Sequence, residues 1–417
     1  MGRGERLQRS LGVAGVAWLG GWIVLATVAP AGASYPGADG DIAFVSTRNN
    51  NEAIYQVNPN YVGAPGAGLG TVAGDAAATT GLTAGAVDAE PFYAPDGALV
   101  FFSSDRSRGH WAVYDIAQAP ALAPSTTSDD AVELSQVPRH ETNEDYAPSV
   151  GPDGETVVFN RDNKALDTLY AAKGPSSVCV LYKPPAGLAP ASSADGSGSR
   201  AEFDPVDPSK LIYVSGDGHL HLLSGIPTPS GTNPCNVSAG SLTDTDLSAE
   251  ARYPSGRGIA HAVDADPDWS PDGTRVVFDS TRGRGHTLWI LTLGAHPSAS
   301  PLWPGLDAPR RQSDTQPVFS PDGRFVVFTQ PVDGSQIVDY EIDGVGSPLS
   351  RETDLSRSPG TPVNSQPDWQ ATLPAQTPEA PVALLLPVAG FLTVGGTMAL
   401  QRRRRARRVA VERLRGP

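Results

Sequence analysis

Two histidines stand two apart in Gly218-His219-Leu220-His221. On a strand such a pair points to one face, as metal ligands do, but the spacing offers no third ligand, so no metal is expected and both read as ordinary packed or surface histidines. Asp264, Asp266 and Asp268 alternate ahead of Trp269 and superficially suit a calcium loop, yet the glycine and distal glutamate of such a loop are missing. No G-x-S-x-G nucleophile elbow occurs, which excludes a hydrolase built on that motif. No cofactor motif stands out either.

A second set of groups recurs by position. Three residues ahead of a repeating proline stand Asp88, Asp145, Glu202, Asp264, Asp314 and Asn364, and a later loop of the same repeat carries Arg48, Arg106, Arg161, Arg282 and His286. Two readings follow. Each carboxylate ties its own loop by bonding to the neighbouring arginine or backbone. Alternatively the acids, Asn364 and His286 gather at one polar mouth and hold a cation or a basic peptide, which makes these seven the candidate ligand-binding residues. A glycan lyase or hydrolase would need a His, Lys or Tyr beside the carboxylates for proton transfer. Besides His286, only His110 and His140 lie in these loops, so a binding role is favoured over an enzymatic one.

The elements that must position these groups are written as a repeat. Its copies begin ADGDIAFVSTR at Ala38, YAPDGALVFFSSDR at Tyr93, VGPDGETVVFNRD at Val150, VDPSKLIYVSGD at Val206, WSPDGTRVVFDSTR at Trp269 and FSPDGRFVVFTQ at Phe319. In Ser270-Pro271-Asp272-Gly273 the proline pre-sets φ, the aspartate can bond to nearby N–H groups, and the glycine closes a hairpin turn. Short β-branched and aromatic runs follow, so each copy is a small antiparallel sheet. Such a sheet cannot bury both faces alone, and repeats of this length with about four strands pack as propeller blades round a channel. The first copy lacks a preceding strand, and Gln366-Pro367-Asp368-Trp369 is a lone strand with no turn after it. The fold expected is therefore an all-β, six-bladed propeller closed by strands from both ends.

Phrases such as Pro267-Asp268-Trp269-Ser270-Pro271-Asp272-Gly273 and Pro317-Val318-Phe319-Ser320-Pro321-Asp322-Gly323 resemble the WD40-like blades of TolB-type propellers over residues 35–371. The resemblance implies the fold and an envelope setting. It carries over no partner-binding residues, because the extra N-terminal domain through which TolB engages proteins has no counterpart before this propeller. The fourth copy, with Asp207-Pro208-Ser209 at its turn, diverges most.

The 417 residues, 39% hydrophobic, can bury one large core or two ordinary ones, and 45 glycines with 39 prolines suit many short strands. Residues 1–33 combine Arg3, Arg6 and Arg9 with an apolar run and Ala31-Gly32-Ala33, the pattern of a secretory signal peptide; an uncleaved anchor is the alternative. Residues 372–379 form a proline-containing stalk, 380–400 an uncharged span long enough to cross a bilayer as a helix, and 401–417 an arginine-rich tail that should stay cytoplasmic. A sortase signal would need L-P-x-T-G after Leu373-Pro374, where Thr377 is displaced and Pro378 follows. The formal charge of −14 includes +2 in residues 1–33 and +7 after residue 400, leaving about −23 on the body. That repels nucleic acid, so the partners expected are cationic or neutral proteins or envelope ligands. A monomer is expected. Cys179 and Cys235, the only cysteines, are expected to form a disulfide in an exported body.

Overall fold

A computed structural model describes residues 35–47, 52–59, 86–106, 110–117, 131–135, 143–171, 174–185, 200–227, 241–254, 262–283, 285–303, 313–331, 335–342, 348–356 and 362–372. The first blade holds β1 (Ala38–Ser46) and β2 (Ala53–Val57). The second runs β3 (Asp88–Tyr93), β4 (Leu99–Ser104), β5 (Ala112–Ala117) and β6 (Val132–Glu133); the third β7 (Asp145–Val150), β8 (Thr156–Arg161), β9 (Ala165–Tyr170) and β10 (Cys179–Tyr182). The fourth has β11 (Glu202–Phe203), β12 (Lys210–Val214), β13 (Leu220–Ser224) and β14 (Thr243–Asp246), followed by the one-turn helix α1 (Leu247–Glu250). The fifth comprises β15 (Asp264–Trp269), β16 (Arg275–Gly283), β17 (Gly285–Thr292) and β18 (Ser298–Pro301), and the sixth β19 (Thr315–Phe319), β20 (Phe325–Gln330), β21 (Gln336–Ile342) and β22 (Pro348–Asp354). The second to sixth blades are antiparallel meanders with their first strand innermost.

The last strand, β23 (Asn364–Thr372), completes the first blade. It pairs antiparallel with β1, with Ile42 opposite Trp369 and Ala38 opposite Thr372, so both ends of the propeller meet in one sheet, β2-β1-β23. The expected closure is present, and β1 is longer than the run from Ile42 suggested.

The core lies between blades. One cluster joins Val277, Leu288 and Ile290 of the fifth blade to Phe319, Val326 and Phe328 of the sixth, and another joins Ile42, Phe44 and Trp369 of the first to Val318 and Val327 of the sixth. Strands buried on both faces explain why the central runs are apolar without alternation. The turns follow their residue types: the Gly273 N–H bonds to the Ser270 carbonyl at 2.8 Å and Gly273 has φ +67°, a conformation that glycine adopts without steric cost. Asp272 Oδ1 accepts from Thr274 N at 3.0 Å. The fourth blade, with no glycine there, uses a turn one residue longer, closed from Asp204 N to Lys210 O.

Cys179 is disulfide-bonded; Cys235 lies outside the described residues. So do the expected signal peptide at 1–33 and the apolar span at 380–400. Among the described residues no helix is long and apolar enough to cross a membrane.

Candidate functional site: the lining of the axial channel

Five of the six innermost strands carry a left-handed residue immediately before their proline. These are Glu90 (φ 55°), Ala147 (51°), Asp266 (45°), Gln316 (56°) and Gln366 (54°), and at each the strand slips register against its neighbour. Positive φ outside glycine costs on the order of 1–3 kcal/mol and concentrates at sites that use it. The slip turns the backbone N–H off its ladder, and a buried N–H needs an acceptor. The neighbouring blade supplies one: Gln366 N donates to Gln316 Oε1 at 2.9 Å, Glu90 N to Gln366 Oε1 at 2.8 Å, and Ala147 N to Glu90 Oε2 at 2.5 Å. Ala147 has no side chain with which to continue the series.

In the fourth blade the corresponding residue is Arg200. Phe203 pairs with Leu211 as Trp269 pairs with Val276, so Ala201 stands where the other blades have proline. Arg200 reaches away from its own blade. Its Nη2 donates to the Pro91 carbonyl at 2.9 Å, its Nη1 lies 3.5 Å from Asp368 Oδ1, and its guanidinium lies 5.2 Å from the centre of the Phe92 ring. A blade-four cation thus ties blades one and two.

The same alignment corrects the register read from the sequence. Glu202 was grouped with Asp88 by counting back from Pro205, but that proline follows its strand, and Glu202 is the counterpart of Asp268 and Asp368. These three carboxyls also bridge blades, accepting from the backbone of the next aromatic residue: Glu202 from Trp269 N at 3.3 Å, Asp268 from Phe319 N at 2.8 Å and Asp368 from Tyr93 N at 2.7 Å. All three are buried. Burial pushes the Asp368 carboxyl up to about 8, with Arg200 opposing. Burial and the charge of Asp268 hold Glu202 well above the carboxylate range, and a hydrogen bond joins the two side chains. Two carboxyls in such contact share a proton. A small open pocket lies against this wall, lined among others by Glu90, Arg200, Asp266, Asp268, Gln316 and Gln366.

The remaining residues of the candidate set are placed as follows. Asp88, Asp145, Asp264 and Asp314 have no exposed surface, and Asn364 has 1%. Asp88 pairs with Arg106 at 2.8 Å, Asp145 with Arg161 at 2.8 Å, and Asp264 with Arg282. For two of them a serine fastens adjacent blades: Ser135 Oγ donates to Asp145 at 2.6 Å while accepting from Val113 N at 2.9 Å, and Ser248 does the same between Asp264 and Leu220. Asn364 donates to Ser356 Oγ at 3.2 Å. His286 is half-exposed and bonds Asp279 at 2.6 Å; that bond, and further off the charge of Asp266, raise its pKa. Hence Asp264, Asp266 and Asp268, alternating in sequence, have three settings: a blade fastener, a pocket wall and a proton-sharing carboxyl. Apart from Asp266, the pre-proline residues carry no chemical motif that marks them in the sequence. A positional signal was available, since four of the five prolines follow Glu90, Asp266, Gln316 or Gln366, and Pro-Asp-Trp occurs twice.

No family model and no curated protein matches the sequence. Among solved structures, TolB from Acinetobacter baumannii is similar, with a TM-score of 0.52, 14% identity and coverage of 79% of this chain and 66% of that one. The chain therefore spans about two-thirds of that TolB's length. A TolB from Agrobacterium tumefaciens aligns at TM-score 0.44 and 15% identity, covering 79% and 98%, and an oligogalacturonate lyase from Vibrio parahaemolyticus at 0.40 and 13%, covering 76% and 91%. In fold, with its six sheets and its first blade closed by β23, the chain is a TolB-like six-bladed β-propeller.

Proposed function

We propose that this chain is an exported, membrane-tethered binding propeller that takes a cationic or neutral ligand, a protein or an envelope polymer, at the mouth of its axial channel. The observation that carries the reading is the pocket bounded by Glu90, Asp266, Asp268, Gln316 and Gln366, where strained backbone and acidic side chains converge. The body's charge of about −23 draws cations toward it. Asp145 and Asp264 serve this site indirectly by fastening the blades round it, and His286 stands near enough to Asp266 to discourage cations once protonated. The test uses the full-length chain and a fluorescent lysine octapeptide. Asp266→Asn should weaken binding at least about tenfold at low salt and less as salt rises, whereas Asp264→Asn should lower stability and leave affinity unchanged. Equal affinity in the unsubstituted chain and the Asp266→Asn variant overturns the reading.

A second reading rests on the Glu202–Asp268 pair, since a shared proton beside an arginine suits acid–base work on a polysaccharide. Shortening of a purified envelope polymer by the full chain, lost in Asp268→Asn, would select it.

A further inference from the structure

The fourth blade differs from the others in its outer half as well as at its turn. His221 Nδ1 donates to Asp244 Oδ1 at 2.9 Å, and Asp244 Oδ2 accepts from Tyr182 and Tyr213 hydroxyls at 2.8 Å each. In the neutral ring that places the proton on Nδ1 and leaves the lone pair of Nε2 free. The Nε2 atom is buried, has no hydrogen-bond partner, and faces Asp217 Oδ1 at 3.8 Å. With the ring neutral, two acceptors face each other across a gap too long for a hydrogen bond, an arrangement that a cation beside them would relieve. Beside them, His219 Nδ1 is 2.8 Å from Asp246 Oδ2 and 3.9 Å from Asp217 Oδ2. Asp217, His219 and Asp246 each offer a ligand atom within 4.8 Å of the others.

We propose that Asp217, His219 and Asp246 bind one divalent transition-metal ion of the zinc class, with His221 alongside. Zinc–ligand distances of about 2.0–2.2 Å place donor atoms around one ion up to roughly 4 Å apart, which the 2.8 and 3.9 Å separations of His219 from Asp246 and Asp217 meet. An imidazole nitrogen among the donors favours zinc, nickel or cobalt over calcium, which takes only oxygens. The outer shell is in place: Asp244 orients His221, Ser215 Oγ and His219 N donate to Asp217, and Ala249 N donates to Asp246. Among the described residues Asp217, Asp244 and Asp246 form ion pairs with histidines and with no lysine or arginine, so a cation would offset three negative charges. Spacing in the sequence hid the site because Asp217 sits in the β12–β13 turn and Asp246 ends β14, brought alongside only by the sheet.

The experiment strips the full-length chain, in detergent, with EDTA and titrates it with Zn²⁺ calorimetrically, with Co²⁺ by visible absorption and with Ca²⁺ as control. Expected are one Zn²⁺ per chain, the intense visible absorption of four-coordinate Co²⁺, and a higher melting temperature with zinc. Asp217→Asn and His219→Gln, both at partly exposed positions, should each weaken Zn²⁺ binding at least about tenfold while the metal-free melting temperature stays within a few degrees. Absence of stoichiometric Zn²⁺ binding, Ca²⁺ binding as tight as Zn²⁺, or undiminished affinity in both variants overturns the proposal.

Discussion

Asp368 is an aspartate with no exposed surface in the wall of a channel, and it holds its proton up to about pH 8. In the unfolded chain the same carboxyl ionises near 4. The folded state therefore binds the proton more tightly. Its contribution to stability is complete below about pH 4 and is lost as pH rises through the folded value near 8. Melting temperature should fall between pH 5 and 9, and Asp368→Asn should flatten that slope, as scanning calorimetry at a series of pH values would show; an equally steep slope in the variant would assign the effect elsewhere. Arg200 is the complement. Removing it as Arg200→Met leaves Glu202 and Asp368 without their cation and the Pro91 carbonyl without its donor, and breaking a buried pair costs about 3–5 kcal/mol. Denaturant unfolding should show a loss of that order above about pH 8, where Asp368 is ionised, and a smaller one at pH 5, where it holds its proton.

At the scale of elements, closure concentrates on β23. Trp369 is buried against Phe325 and opposite Ile42, and Gln370 Nε2 donates to the Gly97 carbonyl of the second blade at 2.9 Å. A Cβ on Gly97 would meet the Ala371 carbonyl at 2.7 Å, so the seam tolerates nothing larger there. Trp369→Ala should cost about 3–5 kcal/mol, and deleting Asn364–Gln370 should abolish cooperative unfolding or lower the melting temperature by several degrees. An unchanged melting profile in the deletion would disprove the latch. The cysteines act between elements. Cys179 lies on β10, the outer strand of the third blade, and the pairing proposed for it is with Cys235, which follows β13 in sequence. Reduction should then lower stability by about 2–4 kcal/mol, and Cys235→Ala should reproduce the loss without further response to reductant.

For the whole molecule, the expected outcome concerns topology. The uncharged span 380–400 followed by eight arginines should hold the full chain in the membrane fraction, and truncation after Ala371 should release the propeller. Recovery of the full chain covalently in a wall fraction would point to Leu373–Thr377 as a sorting site instead. The propeller also sorts its acids by position. Asp268 and Asp368 bridge blades, Asp88, Asp145 and Asp264 at the starts of innermost strands pair with arginines, and Asp217, Asp244 and Asp246 of the outer fourth blade face histidines. This ordering cannot be read from composition, since the body's charge of about −23 says nothing about which carboxylates reach water.

What the sequence determined by itself is the repeat and its closure. Turn chemistry at Ser270–Gly273 and apolar runs such as Arg275–Phe278 are local, acting over a few residues, and the mismatch between the two ends follows from counting copies. Pairing of Asp88 with Arg106, Asp145 with Arg161 and Asp264 with Arg282 was legible for the same reason, both partners lying in one blade. Only the tertiary structure decided the rest. Arg200 could not be linked with Asp368, 168 residues away, because their contact depends on the ring closing, and the missing proline at Ala201 hid the fourth blade's register and misplaced Glu202. Asp246 reaches His219 across a sheet whose two strands are separated by a long loop. Short-range sterics write themselves into adjacent residues, whereas desolvation and charge pairing depend on which surfaces meet, and that is settled only when six blades pack round one axis.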